Sequence, residues 1–191
     1  MILAIGNLKA ISENTFFVNE ASLSDDYKIY WNYTNTEITF KAVVKPGGWI
    51  GFGLSPTVDG VSDSDLIVAW TNPDGTNQFH NAHTEQTRGV VLDTTQHWKK
   101  LFSLKTNDQT ILIFTRKIKV CPTDMELKSA RPNIEIMPTN NVIYDYGASF
   151  SNELTSYKIK NLALLGQINR VVELPVNTEI LQYETSVSYR V

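Results

Sequence analysis

The residues best suited to chemistry stand in the stretch DGVSDSD, where Asp59, Asp63 and Asp65 follow one another closely. Hard cations such as calcium take several oxygen ligands, and aspartates two residues apart can converge on one ion where the backbone curls. Aspartates also favour turns, because their side chains accept hydrogen bonds from nearby amides. The distant glutamate of a calcium loop is missing. The stretch therefore indicates either a cation site or a solvated bend.

The three histidines of the chain are the other candidates for chemistry: His80 and His83 in FHNAH, and His97 in TTQHW. Positions three apart on a strand face opposite sides, so His80 and His83 converge only if the chain bends. No nucleophile elbow of the form G-x-S-x-G and no phosphate loop is found. Arg116 and Lys117 are interpreted as a solvated strand end.

Two residues provide information on the cellular compartment of the protein. Cys121 is the only cysteine, which excludes an internal disulfide and leaves a free thiol or an intermolecular disulfide. Asn32 opens the sequon NYT, which predicts N-glycosylation and a secreted protein.

The elements that must position these residues are strands. Apolar residues alternate with polar ones in YKIYW and in EITFKAVV, and DLIVAW is nearly continuous in apolar residues, as expected of a strand covered on both faces. The hairpin HWKKLFSL–KTNDQT–TILIFTRKI is the clearest in the chain. About ten short strands without a long amphipathic helix predict an all-β antiparallel sandwich.

Composition and charge argue against two partners, nucleic acid and the interior of a lipid bilayer. The chain has 191 residues and a net charge of −3, which is not the basic footprint of a nucleic-acid-binding protein. No apolar run approaches the ~20 residues needed to cross a bilayer. The apolar start MILAI is too short for a signal-peptide core.

Five ordered blocks resemble the DOMON family: GGWIGFGLSP, SDSDLIVAWTNPDG, VVLDTTQHW, TILIFTRKIKVCPTD and VIYDYG. The similarity is greatest to the type at the amino terminus of dopamine beta-monooxygenase and monooxygenase-X proteins. It implies an immunoglobulin-like β-sandwich over residues 23–174, preceded by a lead-in (1–22) and followed by a tail or edge strand (175–191). It also implies an extracellular or luminal location.

The resemblance implies a metal site as well. Its ligands would be the Asp65 carboxylate, the backbone carbonyls of Leu66 and Ala82, and the side chain of His97. Because the relatives carry an acid at the last position, imidazole there weakens calcium and favours a borderline metal. Asp63 and Asp93 are candidates to compensate for the missing carboxylate.

Haem is not expected. Haem-carrying members of the family place an axial methionine where this chain has Val61 or Ser62, and they use a late histidine, whereas His97 is the last one here. Met125 and Met137 lie in a segment broken by prolines. In the resembling copper monooxygenases the cysteine that matches Cys121 bonds to a cysteine outside the domain, and this chain has no second cysteine.

The resemblance implies a non-catalytic extracellular module that binds a small molecule, a sugar or a protein. The copper ligands of the monooxygenases have no counterpart in this chain. One alternative is the regulatory amino-terminal domain of a copper-dependent catecholamine-type monooxygenase, and another is a b-type haem electron carrier. Trp49, Trp70 and Trp98 are expected in the core, with ligand stacking as the alternative use.

Overall fold

The computed structural model describes residues 17–58, 60–85, 89–94, 97–119, 134–150 and 156–166. Within these ranges the chain forms strands and no helix, and no segment is a helix able to cross a membrane. The strands are β1 Asn19–Ser22, β2 Tyr27–Tyr33, β3 Glu37–Val44, β4 Trp49–Ser55, β5 Asp65–Thr71, β6 Asn77–Thr84, β7 Val90–Leu92, β8 Lys99–Lys105, β9 Thr110–Lys117, β10 Thr139–Gly147 and β11 Lys158–Ala163.

The strands form two antiparallel sheets. The five-stranded sheet has the order β1-β2-β3-β9-β8, and the six-stranded sheet has the order β11-β10-β4-β5-β6-β7. The predicted all-β antiparallel sandwich is confirmed, with eleven strands instead of about ten. Strand β1 lies inside the predicted lead-in and pairs with β2. Its sequence NEAS carries one apolar side chain, so alternation gives no sign of it.

The main core lies between the sheets. Alternate residues of β2 and β3 point into it, as the sequence pattern predicts, because their partners on the other face remain polar. Aromatic rings fill its centre: the Phe40 ring centroid lies 4.9 Å from that of Phe52 and 5.5 Å from that of Phe114. Trp98 packs against the same rings and is buried.

A second apolar cluster covers the outer face of the six-stranded sheet. Leu66 and Val68 of β5 point into it, whereas Ile67 and Ala69 of the same strand point into the main core. Val61, from the bend before β5, packs on this outer face. Strand β5 is therefore buried on both sides, as its nearly continuous apolar sequence predicts.

Candidate functional site

The aspartate-bearing stretch before β5 is a bend fixed to β6. The Asp63 backbone N donates to the Thr84 carbonyl (2.9 Å), and the Ser64 backbone N donates to Thr84 Oγ1 (3.0 Å). Asp63 adopts a positive φ of 59°, and its side chain is exposed. This part of the stretch is a solvated bend. Asp59 lies outside the described residues.

Asp65 points inward instead, at the start of β5. One carboxylate oxygen, Oδ1, accepts a hydrogen bond from Trp98 Nε1 (2.9 Å), and the other, Oδ2, is paired with Arg116 Nη1. Burial raises the pKa of this carboxyl above its usual value, while Arg116, the Trp98 hydrogen bond and His97 act in the opposite direction. The pair joins β5 of one sheet to β9 of the other.

Arg116 is the residue that the sequence interpretation placed wrongly. It is only 2% exposed instead of solvated, and its guanidinium carbon lies 4.8 Å from the centre of the Trp98 ring. Nη2 donates to the Ile134 carbonyl (2.8 Å). The signal was available, because Arg116 continues the inward alternation of Leu112 and Phe114. Lys117, one residue on, is exposed as predicted.

The other predicted cation ligands are the backbone carbonyls of Leu66 and Ala82 and the side chain of His97, and the charges of His97 and Asp93 act on the pKa of Asp65. Leu66 and Ala82 are paired in the ladder between β5 and β6, and both strands are paired on both sides. The described residues contain no group of three or more His, Cys, Asp or Glu side chains able to hold a metal. A cation bound at Asp65 would lie beside the positively charged guanidinium of Arg116. The repulsion between two positive charges disfavours such binding. The ion pair with Arg116 therefore argues against a cation at Asp65, and the metal site implied by the resemblance stays a prediction.

Asp93 and the histidines are engaged in other contacts. His83 Nδ1 and Asp93 Oδ1 lie 2.7 Å apart, and the His97 backbone N donates to Asn81 Oδ1 (3.0 Å). His80 faces the outer side of β6, where its ring stacks on Trp70. His80 and His83 thus lie on opposite faces of a regular strand, as their spacing predicts, and they do not converge.

Asn81 fixes the connection that leads from β7 of one sheet to β8 of the other, which we call the crossover. This role is not predicted from the sequence. The side chain is buried, and its Oδ1 also accepts from the Trp98 backbone N (2.7 Å) while Nδ2 donates to the Trp98 carbonyl (3.1 Å). These bonds seat Trp98 above Asp65. The sequence signal is an amide at an inward position of β6, two residues after Phe79.

An open cleft of about 450 Å³ lies at one end of the six-stranded sheet. The half-buried Trp70 forms its wall, with the Phe150 ring stacked on it at 4.8 Å and an interplanar angle of 9°. Trp70 Nε1 donates to Asn72 Oδ1 (2.9 Å), which fixes the ring. Lys105, Ser149 and Gly48 are among the other residues that line the cleft. Of the three tryptophans weighed from the sequence, Trp49 and Trp98 are core residues.

The haem ligands of the family can be tested against the residues present. Val61 is buried in the outer cluster, and neither it nor the neighbouring Ser62 offers an axial ligand. Met137 is 54% exposed and precedes β10. Met125 lies outside the described residues.

Of the two further predicted sites, Asn32 and Cys121, the first lies among the described residues and the second does not. Asn32 lies near the end of β2, where its Oδ1 accepts from the Val18 backbone N (2.7 Å). Cys121 lies outside the described residues, as do residues 167–191, which include the predicted tail.

The chain is similar in sequence to monooxygenase-like proteins. It is 26% identical to MOXD1 homolog 2 of Drosophila melanogaster over 118 residues, which cover 60% of this chain and 15% of that protein. It is 29% identical to DBH-like monooxygenase protein 1 of Homo sapiens over 95 residues, which cover 50% of this chain and 15% of that protein. The chain therefore spans only a small part of the length of these relatives.

Solved structures share the fold. The cytochrome domain of Myriococcum thermophilum cellobiose dehydrogenase superposes with a TM-score of 0.57 at 12% identity, covering 76% of this chain and 82% of that one. The cytochrome b domain of pyranose dehydrogenase from Coprinopsis cinerea gives a TM-score of 0.52 at 8% identity, covering 71% and 75%. The model of the DOMON domain matches residues 23–156. The sandwich, its ordered sequence blocks and this match together show that the chain belongs to the DOMON family.

Proposed function

We propose that this chain is a non-catalytic DOMON module that binds a small molecule in the cleft beside Trp70. The observation that carries the proposal is the cleft itself, whose volume of about 450 Å³ falls in the range of small-ligand sites. Its wall is a rigid aromatic stack, which provides apolar contact at little cost in side-chain entropy. By contrast, the Asp65 carboxylate is already engaged in an ion pair with Arg116.

The polar groups at the cleft indicate the shape of the ligand. Trp70 Nε1 already donates to Asn72, so the ligand meets a ring whose own polar group is satisfied. Lys105 and Ser149 are the lining side chains that provide a charge and a hydroxyl. A ligand with an apolar part against Trp70 and Phe150 and an acceptor directed to Lys105 suits this lining.

The test is a thermal-denaturation screen of the purified 191-residue chain against sugars, aromatic amines, aromatic acids and haemin. A ligand present at a hundred times its Kd stabilises the folded state by about 2.7 kcal/mol, which is several degrees in Tm. We expect the shift to fall in Trp70→Phe and Lys105→Gln. Lys28→Gln, an exposed lysine of β2 that does not line the cleft, is the matched control and should keep the shift.

Two results would count against the cleft. A flat response to every compound removes the support for small-molecule binding. A shift that is equal in the wild type and in Trp70→Phe and Lys105→Gln moves the site elsewhere. A haemin response with a haem absorbance spectrum would support the electron-carrier alternative instead.

The proposal includes an extracellular or luminal location, supported by the sequon at Asn32. This residue is half-buried near the end of β2, next to the exposed turn that follows the strand. Protein purified from its native source should lose mass on treatment with an N-glycosidase, and Asn32→Gln should abolish that loss. An unchanged mass would remove this support.

A second candidate is the regulatory domain of a longer copper monooxygenase, and the relatives favour it because each is much longer than the matched stretch. The parent transcript decides between the two. Copper-binding histidine and methionine motifs encoded after Val191 would establish this candidate, and a stop codon there would exclude it.

A further inference from the structure

Three of the polar side chains that line the cleft beside Trp70 are hydrogen-bonded within the β5–β6 hairpin. Trp70 Nε1 donates to Asn72 Oδ1, and Asn72 Nδ2 donates to Thr76 Oγ1 (2.9 Å). Thr71 Oγ1 donates to Asn77 Oδ1 (2.8 Å). The hairpin thus uses these donors itself, and the polar contacts of a ligand fall to other residues of the lining.

Lys105 and Ser149 are the lining residues whose polar side chains remain available. Both are exposed, and neither side chain has a hydrogen-bond or ion-pair partner among the residues that the structure describes. An ammonium group donates hydrogen bonds and accepts none, and a hydroxyl group can donate as well. The lining therefore offers a ligand mainly donors, and one of them carries a positive charge.

The charge of the cleft lining is positive. Among the described residues that line it, the charged one is Lys105. Asp74 stands in the neighbouring β5–β6 turn, where its Oδ1 accepts from the Thr76 backbone N (2.9 Å) and from Thr76 Oγ1 (2.6 Å). Asp74 is exposed and outside the lining, so solvent and salt screen its charge. A negatively charged group on a ligand is therefore favoured in the cleft.

Lys100 adds a second positive charge near the cleft. It lies on the same side of β8 as Lys105, since their partners on β9 are an even number of residues apart. Its Nζ donates to the Asn77 carbonyl (3.4 Å), and Asn77 pairs with the lining residue Thr71 in the ladder between β5 and β6. Both lysines therefore favour an anion at this end of the sandwich.

The fold fixes Lys105 and Ser149 at the same cleft. Lys105 ends β8 and pairs with Thr110, whose Oγ1 accepts from the Gly48 backbone N (3.1 Å). A Cβ at Gly48 would collide with the carbonyl of Gly147, so glycine is needed for this close approach. The β3–β4 turn thus joins the end of β8 to the segment after β10 that carries Ser149.

The apolar part of the lining consists of flat rings. Trp70 and Phe150 stack nearly parallel, and the ring of the buried Trp49 packs on Phe150 with the centroids 5.4 Å apart. Rings that are fixed in this way lose little side-chain entropy on binding, and their shape favours a planar ligand. The cleft therefore combines an aromatic surface with an ammonium group.

We infer that the ligand of the cleft is a planar aromatic acid, whose ring packs against Trp70 and Phe150. Its carboxylate accepts hydrogen bonds from Lys105 and Ser149. This inference rests on the proposed function, since it names the class of ligand for the same cleft. Charge-assisted hydrogen bonds are roughly twice as strong as neutral ones, so the acid is preferred over a neutral analogue. An aromatic amine meets a like charge instead.

The test is isothermal titration calorimetry of the 191-residue chain with three indoles that share one ring system. Indoleacetic acid is the anion, indoleacetamide is the neutral analogue and tryptamine is the cation. At neutral pH and low salt we expect the acid to bind about five- to tenfold more tightly than the amide, and tryptamine to bind most weakly. High salt should reduce the advantage of the acid, because it screens an exposed charge.

Variants assign this preference to Lys105. Lys105→Gln should bring the Kd of the acid to within about twofold of that of the amide, whereas Lys105→Arg keeps the positive charge and should keep the preference. Trp70→Phe should weaken all three indoles by similar factors, because they share the ring. Lys28→Gln is the matched control and should behave as the wild type.

Four results would overturn the inference. Equal binding of the three indoles that is weakened in Trp70→Phe would do so while leaving the proposed function in place. Tighter binding of tryptamine than of the acid would exclude an anion-binding cleft. A preference for the acid that persists in Lys105→Gln would place the carboxylate on another group. If no indole binds, the inference fails, and the proposed function fails with it only if the thermal-denaturation screen is also flat.

Discussion

Strands β5 and β9 have similar sequences and different surroundings. Both run nearly without polar residues, as DLIVAW and TILIF, and each lies inside its sheet between two neighbours. In β5 both faces are buried, because Leu66 and Val68 are covered by the outer cluster. In β9 the inward face is buried, whereas Ile111 and Ile113 on the other face are half-exposed.

The difference shows where the sandwich is complete. The six-stranded sheet has a covered outer face and a cleft at its end, so its side chains are held between two apolar layers. The five-stranded sheet packs on the main core with one face. Its other face carries a partly exposed apolar group, the outer strip, made of Val43, Phe102, Leu104, Ile111 and Ile113. A strand that is apolar on both faces predicts cover on both faces. Among the described residues, β9 has that cover on its inward face.

The largest effect is expected where the two strands are joined. Asp65→Ala leaves the buried guanidinium of Arg116 without its partner, and breaking a buried pair in this way costs about 3–5 kcal/mol. Urea denaturation measures the loss. Asp108→Ala, an exposed aspartate in the β8–β9 turn, is the control and should change stability by less than about 0.5 kcal/mol. Equal effects would mean that the pair does not join the sheets.

The same substitution on the two outer faces tests the comparison directly. Ile143 of β10 is 1% exposed in the outer cluster, so Ile143→Ala should destabilise the chain by about 2–5 kcal/mol. Ile113→Ala in the outer strip should cost less, about 1 kcal/mol, because much of that side chain is already in contact with solvent. Chemical denaturation of both variants decides. A cost at Ile113 as large as at Ile143 would show that the outer strip is fully covered.

Asn81→Ala should have an intermediate effect. The change leaves the backbone N–H groups of His97 and Trp98 and the Trp98 carbonyl without their side-chain partner. Unsatisfied buried polar groups cost about 1–3 kcal/mol. Thermal unfolding measures the change, with Asn161→Ala, an exposed asparagine of β11, as the control. A change no larger than in the control would show that the crossover is held by other contacts.

The smallest effect is expected on the solvated part of the outer face. The Lys41 ammonium lies 5.6 Å from the centre of the Tyr30 ring, and Lys41→Met removes this contact while keeping an extended side chain. An exposed cation–π contact contributes about 0.5–1 kcal/mol. The loss should be measurable by denaturation at low salt. A loss above that of Ile113→Ala would contradict the assignment of Lys41 to the solvated part of this face.

Much of the fold could be predicted from the sequence. The alternation in YKIYW and EITFKAVV gives the inward faces of β2 and β3, and the KTNDQT turn gives the β8–β9 hairpin. The orientation of β8 could not be predicted, because alternation assigns which residues share a face and does not say which face is inside. The bulge between Lys100 and Phe102 further shifts the pattern by one residue.

Less of the candidate site could be predicted from the sequence, because its contacts join residues that are far apart along the chain. Asp63 and Asp65 are two residues apart and have opposite environments, one exposed and the other paired inside the sandwich. The partner of Asp65 is Arg116, far along the chain and on the other sheet, so no local spacing indicates it. The cleft brings together Trp70 and Phe150 by the same kind of long-range packing.

The position of Trp98 gives the molecule a natural reporter. Its indole N–H is buried against Asp65, and its ring lies under the guanidinium of Arg116. In a proton spectrum recorded in heavy water, this indole signal should outlast that of the half-buried Trp70, since its exchange requires the two layers to separate. Its lifetime would then measure the opening of the whole domain, residue-specifically and without any label.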